Sequence, residues 1–202
     1  MEFNMNENRE VVALLGAGSM GTAIIKRIST NRIILLGDIN EDNLKARENE
    51  LKYNGYAVET QVVDAMDAES VEAFAKKASE LGEIKYFIDT AGASPNQASP
   101  EHIINLDLVA TSLAIDIFAK YIAKGGAGLI ISSQTGYMMN LPPEVEQQIA
   151  LTPTDELKYL DFIKNDSMVN SGVAYVVAKR ANHLRVRTAA ATTWADSGAR
   201  IN

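Results

Sequence analysis

A tyrosine and a lysine stand four residues apart in the run Tyr175-Val176-Val177-Ala178-Lys179. On a helix, residues at this spacing share one face, so the phenol and the ammonium would lie side by side. A neighbouring cation favours the phenolate, and an ionised tyrosine is a usable base at neutral pH. The pair therefore predicts proton transfer. The same spacing also occurs in ordinary helices, with the tyrosine packed on a core and the lysine exposed.

Two serines, Ser132 and Ser133, follow a strongly apolar run upstream of this pair. The run reads as a buried strand, and the carboxyl ends of strands are where open α/β sheets bind ligands. Either hydroxyl is therefore placed to contact a substrate. A glycine, Gly136, comes three residues after Ser133, and 42 residues separate Ser133 from Tyr175.

A glycine-rich loop, Gly16-Ala17-Gly18-Ser19-Met20-Gly21, joins an apolar run to a stretch with helical spacing. Between a strand and a helix, this pattern predicts a dinucleotide site. The first glycine allows a tight turn, the second lets the backbone approach a pyrophosphate, and the third allows close helix packing. The helix N-terminus supplies amides and a positive dipole. The alternative is a glycine-rich turn without chemical consequence.

An acidic residue, Asp38, ends the second apolar run, 22 residues after Gly16. An acid about 20 residues beyond the first glycine binds the ribose hydroxyls and repels a 2′-phosphate, which favours NAD over NADP. Asp64 ends the third run in the same way and would reach the adenine edge, with Ile39 and Ala65 beside these two acids. A solvated aspartate in a turn is the alternative at both positions.

Apolar runs alternate with helical patterns along the chain, which predicts an α/β protein with a doubly wound parallel sheet in three layers, α/β/α. We find no repeat or linker that would divide it, so residues 1–202 form one predicted Rossmann domain. Strands are expected near residues 11–15, 32–37, 57–63, 84–89 and 128–132, and helices near residues 20–29, 42–53, 69–81, 106–123 and 173–194.

Composition excludes several other classes. The 202 residues are 47% hydrophobic and carry a formal net charge of −7, which argues against nucleic acid as a partner. There is no cysteine, and the two histidines stand outside any ligand-spaced cluster, so no metal site is expected. The first ten residues are polar, and no apolar run is long enough to cross a bilayer. These features favour a cytoplasmic protein.

One segment, residues 137–172, interrupts the alternation of strands and helices. It contains three prolines and patches of helical pattern where a short connection is expected. Its apolar side chains need a place to be buried, so we expect one or two short helices over the mouth of the site.

Together and in this order, these pieces resemble the short-chain dehydrogenase/reductase family over essentially the whole chain. The resemblance rests on the glycine loop, Asp64, Asp89-Thr90-Ala91-Gly92, Asn105, Ser133 with Gly136, and Tyr175 with Lys179.

Carried over to this sequence, the resemblance implies an NAD-dependent oxidoreductase that interconverts an alcohol and a ketone. Tyr175 would be the general acid/base, and Lys179 would favour its phenolate and hold the nicotinamide ribose. Ser133 would orient the substrate oxygen, with Ser132 as its rival, and Asn105 would anchor a water in the proton relay. The implied cofactor contacts are Gly16, Gly18, Ser19, Met20, Gly21, Asp38, Ile39, Asp64, Ala65, Ala91, Gly92, Tyr175 and Lys179.

The sequence departs from the family pattern in three places. The glycine loop is one residue shorter than usual, and Asp89-Thr90 replaces a pair of asparagines, so Asp89 and Thr90 must brace the central strand. The third departure is the long segment before Tyr175. It resembles insertions of hydroxysteroid dehydrogenases and carbonyl reductases, which implies a bulky apolar substrate.

Two other functions remain open. The glycine loop also resembles that of 3-hydroxyacid dehydrogenases, although those lack the Tyr/Lys helix, and a non-catalytic NAD(H) sensor is possible within the family. The resemblance implies a homodimer, with a tetramer as the alternative. Residues 198–202 look like the start of a sixth strand, and the family continues beyond this point, so we expect the sequence to be part of a longer chain.

Overall fold

A computed structural model describes residues 9–202, and the predicted parallel α/β sheet is confirmed. Six strands follow the order β3-β2-β1-β4-β5-β6, and every neighbouring pair is parallel. Of the first ten residues, which are polar, residues 1–8 lie outside the part of the chain that the structure describes.

The strands lie close to their predicted positions, apart from the fifth. Consecutive side chains of a strand point to opposite faces, and the buried residues of β1 and β2 accordingly divide between two apolar clusters. One cluster packs under the first two helices and the other under the third and fifth, which gives three layers. The strands are β1 (Glu10–Leu15), β2 (Ile33–Asp38), β3 (Ala57–Val62), β4 (Glu83–Asp89), β5 (Ile122–Ile130) and β6 (Arg200–Ile201).

Nine α-helices occur within residues 9–202, and four of them begin after a residue whose side chain caps the first turn. Asn40, Asp67, Ser99 and Asn170 each accept a hydrogen bond from a backbone N–H in the first turn. The helices are α1 (Ser19–Ile28), α2 (Glu41–Tyr53), α3 (Ala68–Leu81), α4 (Pro100–Ile103), α5 (Thr111–Phe118), α6 (Pro143–Leu151), α7 (Asp161–Asn165), α8 (Ser171–Ala191) and α9 (Thr193–Asp196).

The predicted helix at residues 106–123 is wrong at both ends. Helical structure begins six residues earlier, because Ser99 caps the turn and Pro100 occupies its first position. A π-helical segment, Ile104–Ala110, joins α4 to α5, and the helix ends at Phe118. The wider π turn brings Asp107 into the interior, where its side chain is fully buried.

The fifth strand begins earlier than predicted. Ile122 already pairs with Ile84, but the next paired residue is Ala127, opposite Tyr86, so the register shifts and β5 bulges between these two points. Gly125 supports the bulge with a φ of +77°. The strand ends at Ile130, so Ser132 and Ser133 lie in the following loop rather than at the strand end.

The segment 137–172 folds against α8. It contains α6, a 3₁₀ turn (Thr154–Tyr159) and α7, one short element more than predicted. Ile149, Leu157 and Ile163 are buried in a third apolar cluster, which α4, the π-helix and α8 complete. Arg185 on α8 donates to the backbone oxygens of Ala150 and Thr152 at 3.3 and 2.7 Å, and thereby pins the segment to the fold.

The expected sixth strand is present as β6, which pairs with β5. The only tryptophan, Trp194, fills the space above Gly128, where a Cβ would lie 2.6 Å from the indole ring. Within residues 9–202, no helix combines the length and apolar character that a membrane crossing requires.

Candidate active site

The glycine loop is locked to the end of β4. Gly16 has a φ of +89°, and a Cβ at this position would lie 2.6 Å from the backbone nitrogen of Ala91. The hydroxyl of Thr90 donates to the backbone oxygen of Gly16 at 2.6 Å. Thr90 thus connects the end of β4 to the glycine loop after β1, in keeping with the expectation that it braces the central strand.

The other two glycines of the loop differ in their surroundings. A Cβ on Gly21 would lie 2.8 Å from both Leu14 and the Thr90 hydroxyl, so Gly21 permits close helix packing. No atom lies within 4 Å of the corresponding position on Gly18, which faces open space at the start of α1. A pyrophosphate therefore has room to approach the backbone at Gly18.

A cleft of about 300 Å³ crosses the carboxyl ends of β3, β2, β1 and β4. It brings together eight of the predicted cofactor residues, and six further residues complete its wall. Within residues 9–202, the wall does not include Ser19, Met20, Gly21, Tyr175 or Lys179. The predicted residues in the wall are Gly16, Gly18, Asp38, Ile39, Asp64, Ala65, Ala91 and Gly92, and the others are Leu15, Val63, Met66, Thr90, His102 and Leu106.

Asp38 is held in place by both sides of the cleft. Its Oδ2 accepts from the backbone nitrogen of Ala17 at 2.8 Å and from the amide of Asn43 at 3.1 Å. Its Oδ1 accepts from the backbone nitrogen of Asn40 at 2.9 Å. The carboxylate therefore lies beside the glycine loop, with its orientation fixed by three donors.

Tyr175 and Lys179 share one side of α8, as their spacing predicted. The Lys179 ammonium lies 5.4 Å from the centre of the Tyr175 ring. It forms an ion pair with Asp107, with Nζ 3.1 Å from Oδ2, and the two side chains are 6% and 0% exposed. A longer contact, 3.4 Å, joins Nζ to the backbone oxygen of Ile131. The lysine is thus a buried, paired cation next to the phenol.

The two serines after β5 have different partners. The hydroxyl of Ser132 donates to the backbone oxygen of Lys179 at 2.8 Å. Ser133 caps a 3₁₀ turn, where its oxygen accepts from the backbone nitrogen and hydroxyl of Thr135 at 3.2 and 3.0 Å. Within residues 9–202, no acceptor is found for the Ser133 proton.

The turn that follows Ser133 packs directly on α8. A Cβ on Gly136 would lie 2.8 Å from the backbone nitrogen of Arg180 and from the His183 ring. Tyr137 stacks on His183 with ring centres 4.6 Å apart. Burial lowers the pKa of His183, and the charges of Arg180 and Lys179 add to this effect. These contacts fix Ser133 beside the helix that carries Tyr175.

Asn105 and Asp107 lie two residues apart in the π-helix, and Asp107 is the one that contacts Lys179. Among residues 9–202, no hydrogen bond links the Asn105 side chain to Tyr175, Lys179 or Ser133. Sequence reasoning missed Asp107. The available signal was its spacing: Asp107 lies four residues after Ile103 and three after Ile104, which on a helix is the face that these apolar residues bury.

A second buried acid, Asp89, lies at the end of β4. Its Oδ1 accepts from the backbone nitrogen of Ala91 at 2.9 Å. Burial raises the pKa of this carboxyl to about 7, and the charge of Asp107 adds to the rise. The hydrogen bond from Ala91 and the charge of Lys179 lower the pKa but do not cancel the effect of burial. The carboxyl therefore exchanges its proton near neutral pH.

The sequence of this chain is similar to those of short-chain dehydrogenases. Residues 10–142 match the sequence model of a family described as short chain dehydrogenase. A short-chain dehydrogenase/reductase, bsc3 of Alternaria brassicicola, is 33% identical over 197 residues, which cover 96% of this chain and 71% of that protein. The uncharacterized oxidoreductase YxbG of Bacillus subtilis (strain 168) is 24% identical over 179 residues, covering 82% of this chain and 65% of its own.

Solved structures share the fold at low sequence identity. A short chain dehydrogenase from Mycobacterium smegmatis superposes with a TM-score of 0.72 at 17% identity, covering 99% of this chain and 77% of that one. An actinorhodin polyketide ketoreductase variant, solved with NADPH, has a TM-score of 0.70 at 15% identity, with coverages of 95% and 67%.

Proposed function

Because this chain belongs to the short-chain dehydrogenase/reductase family, we propose that it transfers a hydride between NAD(H) and a secondary alcohol or ketone. Tyr175 is the proposed proton-transferring residue. The observation that carries the proposal is the buried Lys179 ammonium, 5.4 Å from the Tyr175 ring. A buried cation next to a phenol is the arrangement that the proposed proton transfer at Tyr175 uses.

Ser133 and Tyr175 act on the substrate oxygen in this proposal. The Ser133 hydroxyl donates a hydrogen bond to that oxygen, and the Tyr175 hydroxyl gives it a proton during ketone reduction or takes one during alcohol oxidation. Ser132 is the weaker candidate, because its proton is already donated to the Lys179 backbone. Asn105 keeps its proposed role in a relay through water, with Lys179 between that water and Tyr175.

The cleft suits a nicotinamide dinucleotide, which family members bind. Open space at Gly18 and the free N-terminus of α1 fit the pyrophosphate. Ile39 and Met66 are 64% and 42% exposed in the wall and offer apolar contacts to an adenine, beside Asp64 and Ala65. When bound, the nicotinamide supplies or accepts the hydride.

The preference for NAD over NADP rests on Asp38. Its carboxylate lies beside the glycine loop and accepts three hydrogen bonds, which fix its orientation. A fixed negative charge there attracts ribose hydroxyls and repels a 2′-phosphate.

The proposed substrate is a bulky apolar alcohol, of which a hydroxysteroid is one example. Tyr137 and Met138 follow Ser133 and are 70% and 75% exposed, which supplies an apolar surface near the proposed substrate oxygen. Residues 137–172 are the proposed cover of this region. We further propose that the protein is a cytoplasmic homodimer. Its proposed partners include neither nucleic acid nor a membrane.

The test is turnover by the purified protein with a panel of secondary alcohols that includes hydroxysteroids, with NAD⁺ and NADP⁺ in parallel, and with ketones in the reverse direction. Appearance or loss of reduced nicotinamide absorbance is expected with NAD(H). Tight NADH binding without hydride transfer to any substrate would instead support a sensor.

A further inference from the structure

We propose that Asp107 is a positioning residue of the active site, which holds the Lys179 ammonium beside Tyr175 in a buried charge centre that Asp89 completes. The term charge centre means the side chains of Asp89, Asp107 and Lys179. This inference rests on the proposed function, since it assumes that Tyr175 transfers a proton.

The two oxygens of Asp107 have different contacts, a hydrogen bond at Oδ1 and an ion pair without a hydrogen bond at Oδ2. Oδ1 accepts from the backbone nitrogen of Ala93 at 2.8 Å, and Oδ2 lies 3.1 Å from the Lys179 ammonium. The neighbouring Gly92 leaves the necessary room, because a Cβ there would lie 3.3 Å from Oδ1. One fully buried carboxylate therefore connects the loop after β4, the π-helix and α8.

Lys179 depends on this contact for its position. A lysine ammonium sits on a flexible four-carbon stem and has many rotamers available. The remaining contact of Nζ is the Ile131 backbone oxygen at 3.4 Å, which is long for a hydrogen bond. Without Asp107, the buried ammonium would lose its counter-ion and would be displaced from the phenol.

Asp89 makes the net charge of the centre dependent on pH. Asp89 is buried, and its backbone oxygen accepts from the backbone nitrogen of Ile131 at 3.0 Å, the residue whose own oxygen contacts Lys179. Burial raises the pKa of the Asp89 carboxyl to about 7. Below this pH, Asp89 is neutral and the centre carries no net charge. Above it, the centre has one negative charge in excess, which alters the field at Tyr175. Turnover should therefore change near neutral pH because of Asp89.

Other charged groups on the surrounding elements are paired or lie elsewhere. On α8, Arg180 pairs with Glu146 of α6 and Arg185 with Asp116 of α5. His183 is shifted towards its neutral form. The strand residues pair away from the site, Glu10 with Arg32 and Glu83 with Lys85, and α4 carries the exposed Glu101 and His102.

The experiment compares Asp107→Asn and Asp89→Asn with Asp116→Asn in the full chain. Asparagine keeps an oxygen for the N–H of Ala93 or Ala91 and removes only the charge. Asp116 is the matched control, because it also pairs with a basic residue of α8, 3.5 Å from Arg185, but outside the proposed site. The readouts are kcat, kcat/KM and cofactor Kd across neutral pH.

Asp107→Asn should reduce kcat by about 100-fold. The pH at which its turnover changes should move down, because Asp89 loses a repelling neighbour. Asp89→Asn should keep most of kcat and lose the break near pH 7. Asp116→Asn should change neither. A wild-type break that survives unchanged in both Asp107→Asn and Asp89→Asn overturns the proposal, as does an Asp107→Asn enzyme with ordinary kcat.

A second measurement needs no turnover. The carbon-13 resonance of the Asp89 carboxyl should titrate near pH 7 in the unaltered protein and at lower pH in Asp107→Asn. If no substrate reacts, the proposed function fails while this titration still tests the charge centre. Asp107→Ser, which also offers an oxygen to Ala93, replaces Asp107→Asn if the latter does not fold. An Asp89 midpoint that is the same with and without the Asp107 carboxylate contradicts the inference.

Discussion

Ser132 donates its hydroxyl to the backbone oxygen of Lys179 at 2.8 Å, and so ties the loop after β5 to the middle of α8. A backbone carbonyl within a helix already accepts the intrahelical hydrogen bond, and this second bond uses its remaining lone pair. The two serines therefore differ: the Ser132 hydroxyl joins the loop to α8, whereas the Ser133 proton has no acceptor within residues 9–202.

The first prediction concerns these two serines. Ser133→Ala should lower kcat by about 100-fold, because a donor to the substrate oxygen is lost. Ser132→Ala should leave kcat within a few-fold and lower the free energy of unfolding by about 1 kcal/mol. Steady-state kinetics and urea unfolding of both variants provide the measurement. The reverse pattern would assign the substrate contact to Ser132.

Tyr175→Phe should lower kcat by about 10²–10⁴-fold while the cofactor Kd stays nearly unchanged, because the phenol acts on the proton and the glycine loop holds the dinucleotide. Lys179→Ala should both lower kcat and raise the cofactor Kd. Tyr53→Phe is the control, since this tyrosine is 92% exposed at the end of α2, outside the proposed site. A Tyr175→Phe enzyme with normal kcat would rule out the proton-transfer role.

NAD(H) should bind roughly 100-fold more tightly than NADP(H), because a 2′-phosphate would meet the charge of Asp38. Asp38→Asn should narrow this ratio about tenfold, whereas the exposed Asp42→Asn should not alter it. Fluorescence titration with both cofactors measures the ratio. Equal affinity for NADPH would mean that a basic residue reaches the phosphate. Two nearby candidates are already paired, Lys26 with Glu50 and Arg32 with Glu10.

The stability of the protein should fall as pH rises from about 4 to about 7, because Asp89 has a native pKa of about 7 against about 3.9 for an unfolded chain. The native state binds the extra proton within this window, so the stabilisation is complete below it and lost above it. The loss from Asp89 is on the order of 4 kcal/mol at most. Urea unfolding at several pH values should show that Asp89→Asn removes this slope; a slope retained in full would exclude Asp89.

Arg185→Ala should release the segment 137–172 from α8, because three of its acceptors, Ala150, Thr152 and Thr154, belong to that segment. We expect the free energy of unfolding to fall by about 3 kcal/mol and hydrogen exchange in α6 to become faster. The substrate range or the oligomer size should change as well. Arg187→Ala on the exposed side of α8 is the control. Unchanged exchange in α6 would mean that the buried apolar side chains alone hold the segment.

The glycine loop and the Tyr175/Lys179 helix could be predicted from the sequence, because their signals are local. Gly16 needs a positive φ for the turn, and residues four apart on a helix must share a face. Strands β1, β2 and β4 were readable for the same reason, as buried apolar runs between turns.

The charge centre and the start of β5 depend on contacts between distant residues. Asp107 meets Lys179 across 72 positions of the chain, through a π turn that no local pattern announces. Ile122 joins the sheet only because β5 bulges before Ala127. The early start of α4 is different, because Ser99 and Pro100 form a capping pair that is recognisable in the sequence. The prediction from helical periodicity did not use it.

The lock between Gly16, Thr90 and Ala91 joins residues about 75 positions apart, which places the dinucleotide site late in the folding sequence. Closing so long a loop costs entropy that only the pairing of β1 with β4 recovers. On the ribosome, the amino-terminal strand, glycine loop and first helix emerge well before β4 is synthesised. In a nascent chain, the contact between the glycine loop and Thr90 therefore forms only after β4 has left the exit tunnel.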